Sequence, residues 1–278
     1  MHLTIKELQI IESDMLNHVD KISRKHNIPY YVRAGSLLGT IRHQGPIPWD
    51  ADIDIEVPYV EYDRFVHTLN VNLPKQYKVL YQEKKSKYDR LFARITVKGE
   101  SHKHLHINVF PMIKMSNKKD SQKQHMKRIK LNQEIFKLKK ITFREIFKTQ
   151  LSFIKKVLLT FAKPFVCLFP DKYFYNKRNK LHSKYELNEN KFIVNPYTKY
   201  DLKSVFPISS YKQTLRMSYD YFKVNVPHAY DEILKQLYGD YTVTKIEVKN
   251  YKEQLFEIKS IKTKELVKNI KKVTKWSL

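Results

Sequence analysis

Between Trp49 and Pro58 the chain alternates without a break. Asp50, Asp52, Asp54 and Glu56 are separated by Ala51, Ile53, Ile55 and Val57. A period of two is that of a β-strand, so the four acids share one face and the apolar residues the other. The apolar face demands a sheet with a covered side. The acidic face sets like charges about 6–7 Å apart, which repel, and a divalent cation is the simplest offset. Just upstream, Gly35, Gly39 and Gly45 fall within eleven residues of a chain that has five glycines in 278. Glycine permits positive φ and close backbone approach to a ligand, so this stretch predicts a loop that wraps something.

The surroundings of this window set its context. The formal charge is +25, which favours polyanions, anionic lipid or phosphate-bearing substrates, although lysine abundance also tracks coding bias. Hydrophobic content of 42% and aromatic content of 13% argue against disorder. Cys167 is the lone cysteine, which rules out an internal disulfide or a cysteine-rich zinc site and fits a reduced, cytoplasmic setting. The N-terminal residues lack a signal-peptide layout, and no apolar run approaches the roughly 20 residues needed to span a bilayer. The expectation is a cytoplasmic protein, soluble or peripheral on the inner face of the membrane.

Periodicity predicts an amphipathic helix over Thr4 to Lys25, a short strand at Tyr30 to Arg33, the acidic strand at Trp49 to Val57 and a short helix at Glu61 to Leu69. Strands follow at 77–81, 91–97 and 104–110, with a turn at Lys98-Gly99-Glu100. Residues Lys118 to Lys140 form a strongly basic helix. From Ile146 to Pro170 there is no acid, and apolar pairs recur at helical spacing beside Lys148, Lys155, Lys156 and Lys163. Such a helix suits either a membrane interface or a core-facing position with a solvated basic side. The expected fold class is α/β (α+β), a mixed sheet flanked by helices plus a basic amphipathic helical insertion. Its expected divisions are a catalytic core at 1–111, the insertion at 112–185, the remainder of the domain at 186–245 and a lysine-rich tail at 246–278.

A glycine-serine turn followed by a strand of alternating aspartates is the arrangement of a nucleotidyltransferase site. Backbone amides hold phosphates, and carboxylates hold Mg²⁺ across them. The run Gly35-Ser36-Leu37-Leu38-Gly39-Thr40-Ile41-Arg42-His43-Gln44-Gly45-Pro46-Ile47-Pro48-Trp49-Asp50-Ala51-Asp52-Ile53-Asp54-Ile55 resembles the LicD family of phosphotransferases, related to fukutin-type enzymes of animals. Those proteins usually read G-G-T-L-L-G-x-x-R-H-x-G-F-I-P-W-D-D-D-I-D-I. Ile107-Asn108-Val109-Phe110-Pro111 is similar to the family's I-D-I-F-P. Val226-Pro227-His228-Ala229-Tyr230 and Leu237-Tyr238-Gly239-Asp240-Tyr241 are similar to its late P-x-x-Y and L-Y-G-D-Y elements.

The resemblance implies a nucleotidyltransferase-like core and transfer of a phospho-alcohol, best known as phosphocholine, from a CDP-linked donor such as CDP-choline. The acceptor it implies is a sugar hydroxyl of a cell-surface glycan or its lipid-linked precursor. On this reading Asp52 and Asp54 are the ligands of Mg²⁺ or Mn²⁺, with Asp50 beside them. Gly35 and Ser36 meet the donor phosphates, and Arg42 and His43 flank them, Arg42 as a bidentate clamp. Trp49 is a packing residue.

Asn108 stands where the family has an aspartate. A carboxamide ligates through its oxygen but takes no proton, so His106, on the same face, is the substitute base. Two other readings stay open. One is transfer of a nucleoside monophosphate from an NTP; the other is a catalytically impaired homologue that binds polyanions. An anionic membrane surface is an expected partner, and no specific nucleic acid is.

Overall fold

The computed structural model describes residues 2–82, 88–100, 104–187, 189–243 and 254–274. In chain order the elements are β1 (His2–Thr4), α1 (Ile5–Lys25), β2 (Tyr31–Val32), α2 (Ala34–His43), β3 (Ile53–Pro58), α3 (Tyr59–Asn72), β4 (Tyr77–Leu80), β5 (Ala93–Val97) and β6 (Ile107–Met115). Then come α4 (Lys119–Lys140), α5 (Phe143–Lys148), α6 (Phe153–Leu168), α7 (Asp171–His182), β7 (Phe192–Val194) and β8 (Val205–Pro207). The last are β9 (Thr214–Tyr219), β10 (Phe222–Pro227), α8 (Tyr230–Tyr238), β11 (Leu255–Glu257) and α9 (Ile261–Thr274).

A seven-stranded mixed sheet organises the protein. Its path is β2-β3-β6-β5-β4, and β7 and β8 extend it from the far end of β6. The pair β3 and β6 is parallel, in register Asp54 with Asn108, while their other neighbours run antiparallel. This is the α/β fold with a mixed sheet that the alternation implies. β6 runs on past residue 111 to pair with β7, so a boundary at 111/112 cuts through a central strand. The expected division missed this because the polarity of the sequence changes only after the strand ends.

Helix α1 starts on a reciprocal cap: the Glu7 amide donates to Thr4 Oγ1 (3.2 Å) and the Thr4 amide to Glu7 Oε2 (2.9 Å). Its apolar stripe, with Leu8, Ile11, Met15 and Val19 fully buried, packs into the main core with Ile53, Ile55, Ile107 and Val109. Buried on α1 as well, Gln9 donates to the carbonyls of Ile47 and Asp50, both at 2.9 Å. That fixes the segment leading into β3. Tyr62 of α3 donates to the Val109 carbonyl (2.5 Å) and accepts the Ala93 amide (2.7 Å), tying helix to sheet.

The glycine stretch is the largest departure from expectation. Residues 34–43 form helix α2, not a loop. Leu37 and Leu38 face the core, and the glycines serve close approach. A Cβ on Gly39 would lie 2.5 Å from the Gly45 carbonyl oxygen, and one on Gly35 would lie 2.6 Å from Asp50 Oδ2. The acidic strand likewise begins later than expected, at Ile53, because the turn Asp50 N–H to Ile47 O (2.9 Å) occupies its first residues. The acids nevertheless keep to one side.

Candidate active site

Asp50, Asp52 and Asp54 line one cavity of about 700 Å³, and the first turn of α2 (Ala34, Gly35, Ser36) forms the wall beside them. The opening amides of a helix have no intrahelical acceptor and carry its positive dipole end, so this wall suits phosphate oxygens. Ala34 has φ of 45°, a left-handed conformation that costs an alanine about 1 kcal/mol. It stands at the first glycine of the related G-G-T pattern. The Ser36 hydroxyl accepts the Asp54 amide (2.9 Å) and so locks α2 to β3. Accepting that bond leaves the Ser36 O–H free to donate, beside its backbone amide.

The carboxyls are crowded. Asp50 and Asp52 hydrogen-bond one another, and both are pushed above the usual carboxylate range, first by burial and then by the charge of a neighbouring aspartate. Solvent still reaches Asp52 through the cavity mouth. Asp54 is pushed up to about 6 by burial and by Asp52. Glu56, next on the same face, behaves differently. It pairs with buried Arg33 at 2.9 Å and accepts the Tyr211 hydroxyl at 2.7 Å, so it is a structural acid outside the cavity lining.

Asn108 departs from its expected role. Its Nδ2 donates to Asp54 Oδ1 (2.8 Å) and its Oδ1 accepts from Arg94 Nε (2.7 Å). Arginine is only a donor, which fixes the carboxamide oxygen toward Arg94 and away from a cation. Asn108 is thus a bridge that steadies Asp54. His106 is buried but does not line the cavity. Its backbone amide donates to Glu12 Oε1 (3.3 Å). Glu12 itself is a fourth carboxyl beneath the site, raised by burial and by Asp52.

Arg42 lines the cavity from the last turn of α2, about 10 Å along the helix from Gly35, and Arg42 Nη1 donates to the Tyr241 carbonyl (3.3 Å). His43 stands edge-on to Trp49, outside the lining, and its pKa is lowered by burial and by Arg42.

The remaining wall comes from far along the chain. Lys199 faces Asp50 and Asp52 and opposes the rise in their pKa. The Tyr200 hydroxyl donates to that of Tyr238 (2.9 Å), the rings meeting edge to face at 5.6 Å. Tyr238 and Asp240 straddle Gly239, whose φ of 74° bends the chain at the end of α8. Sequence reasoning did not single out Arg33, Arg94, Lys199, Tyr200 or Glu12. Arg33 adjoins the glycine stretch and had a local signal; the others have none.

Crowded oxygen donors whose carboxyls are pushed above their usual range fit a hard divalent cation. Among the described residues no trio of His, Cys, Asp or Glu converges as a ready cage. That agrees with the habit of Mg²⁺ of taking one or two carboxylates and filling its shell with water and substrate phosphate.

A mixed sheet with Asp52 and Asp54 at the start of β3, beside the first turn of α2, suits a nucleotidyltransferase-type site. Residues 27–149 match the LicD/FKTN/FKRP nucleotidyltransferase domain family. Lipopolysaccharide cholinephosphotransferase LicD of Haemophilus influenzae is 41% identical over 64 residues, 23% of this chain and 24% of that protein. An uncharacterized protein of Rickettsia typhi is 36% identical over 55 residues (20% of this chain, 18% of that protein), and one of Rickettsia prowazekii is 42% identical over 43 (16% of each). The matches thus span less than a quarter of each relative's length.

Proposed function

We propose that this protein transfers a phospho-alcohol, phosphocholine first among them, from a CDP-linked donor to a sugar hydroxyl of a cell-surface glycan or its lipid-linked precursor. The observation that carries the reading is the facing of Asp52 and Asp54 onto the first turn of α2 across one cavity. The likeness to a cholinephosphotransferase names the first cargo to try. Aromatic rings on the wall, Tyr200 and Tyr238 above all, suit a quaternary ammonium. A lipid-linked acceptor would bring the reaction to the cytoplasmic face of the membrane.

Asp52 and Asp54 would hold Mg²⁺ or Mn²⁺, which when bound offsets charge on the transferring phosphoryl group. The α2 amides at Gly35 and Ser36 receive the donor phosphate oxygens, and Arg42 reaches the far end of the donor. The sugar oxygen attacks the phosphorus that carries the alcohol, its bond to the phosphate of CMP breaks, and CMP leaves. Asp50, which lines the same cavity and is raised above the usual carboxylate range by burial and by Asp54, takes the hydroxyl proton. Asn108 and Arg94 keep Asp54 in place.

Purified protein incubated with divalent ion, a glycan acceptor pool and separate CDP-choline, CDP-ribitol, CDP-glycerol and NTP samples tests this by mass spectrometry. Metal-dependent CMP release from one CDP-alcohol supports the reading and names the cargo. Pyrophosphate from an NTP, or silence from every donor in a pool that serves an active relative, rejects it.

A further inference from the structure

Helix α6 is turned inside out. Phe153, Ile154, Leu158, Phe161, Phe165 and Leu168 are each between 63% and 80% exposed. At 100° per residue they occupy a single arc of about 140°. The opposite arc carries lysines that face inward. Lys163 is buried, and its Nζ donates to the carbonyls of Leu138 (3.0 Å) and Lys139 (2.9 Å) at the C-terminal end of α4, where the helix dipole favours a cation. Lys156 Nζ donates to the Phe147 carbonyl (3.0 Å). Val166 packs on the Leu91, Phe136 and Phe174 cluster. These contacts set the rotation of the helix. Rolling the apolar arc inward would undo them. Phe147, Leu151 and Phe169 carry the exposed apolar surface beyond both ends of α6.

We propose that α6 is a docking surface for an anionic phospholipid bilayer. Contiguous apolar surface of this kind is uncommon on a free monomer and marks a partner. The charges around it choose which one. Arg144, Lys148, Lys155 and Lys172 are exposed along the segment. Its acids are engaged: Glu145 closes the capping box of α5, and Asp171 is bound by Lys139 and Lys140. Anionic headgroups therefore meet cations and no uncompensated carboxylate. A second copy would set the same cations against themselves across the contact. Among the described residues no helix is long and apolar enough to cross a membrane. A 16-residue helix with one apolar face instead lies along the interface, with its aromatics among the upper acyl chains. The inference rests on α6 and its neighbours alone and is independent of the proposed reaction.

Vesicle flotation of the full chain tests it, using phosphatidylcholine alone and phosphatidylcholine mixed with phosphatidylglycerol. The comparison protein is the double variant Phe161→Ser/Phe165→Ser, with circular dichroism and sedimentation velocity run beside it. The expected result is binding to the anionic vesicles, about tenfold or more weaker to neutral ones, and about tenfold or more weaker for the variant. The variant should keep its melting temperature, because both side chains are exposed in the free protein. Three results would overturn the proposal: no flotation with anionic vesicles, equal flotation of a folded variant, or a vesicle-free dimer that the variant dissolves. The last would assign the face to a second copy.

Discussion

The acidic cavity and helix α6 dispose of their side chains in opposite ways. Around β3 the apolar residues go inward to a finished core, and Asp50, Asp52 and Asp54 go to a cavity that Arg33, Arg42 and Lys199 also line. In α6 Lys156 and Lys163 donate to carbonyls of neighbouring segments, and the phenylalanines stand in solvent. Each region leaves one kind of group unsatisfied, charge in the first and apolar surface in the second. On the proposed readings, a cation and phosphates would satisfy the cavity and a lipid surface the helix. Arg33 and Glu56 show that this chain pairs a buried acid fully where the acid is structural.

The sharpest way to break the comparison is in the cavity. Asp54→Asn should lower metal-dependent CMP release by about a thousandfold or more, the scale of losing a preorganised electrostatic group. Circular dichroism should show the fold intact. Next comes stability, measured by denaturant unfolding. Phe136→Ala, at a fully buried ring, should cost about 3–5 kcal/mol, whereas Phe161→Ser, at a ring 72% exposed, should stay within about 0.5 kcal/mol. Arg33→Met, which leaves Glu56 buried without its cation, should cost about 3–5 kcal/mol.

Asn108→Asp sharpens the comparison further. It removes the donor to Asp54 and adds a like charge, so without divalent ion it should cost about 1–3 kcal/mol. Added Mg²⁺ should recover more stability in this variant than in the parent. pH acts in the same sense. Asp54 is raised to about 6, so the folded state holds its proton more tightly than the unfolded chain does. Stability should therefore fall as pH climbs from the ordinary carboxylate range toward about 6 and then level off. Divalent ion should raise the melting temperature more above that pH than below it. The smallest effect is Ala34→Gly, which relieves the left-handed alanine and should add up to about 1 kcal/mol.

Much of the fold was legible wherever a period was strong. The stripe of α1 and the basic run of α4 appear close to their expected bounds, while the acidic alternation is present with its strand starting later, at Ile53. The helix at 34–43 was hidden because glycine signals both a loop and close packing. Here the packing use wins, since Gly39 lies against the Gly45 carbonyl. In the site, Asp50, Asp52 and Asp54 were readable from spacing, and the L-Y-G-D-Y stretch from resemblance. The expected role of His106 failed because sharing a strand face says nothing of depth, and Glu12 lies beneath it. Lys199 and Arg94 reach the cavity and the Asn108 bridge only through tertiary contact, which no local pattern encodes. For α6 the two faces of the helix were readable from periodicity, but not which one turns outward. That was decided by where α4 ends and offers its carbonyls to Lys163.

The most direct measurement is calorimetric titration of CDP-choline into the parent protein and Asp54→Asn, each with and without Mn²⁺. The account predicts binding to the parent only when Mn²⁺ is present and none to the variant. Binding of equal strength in all four titrations would contradict it, because the aspartates would then have no part in holding the donor.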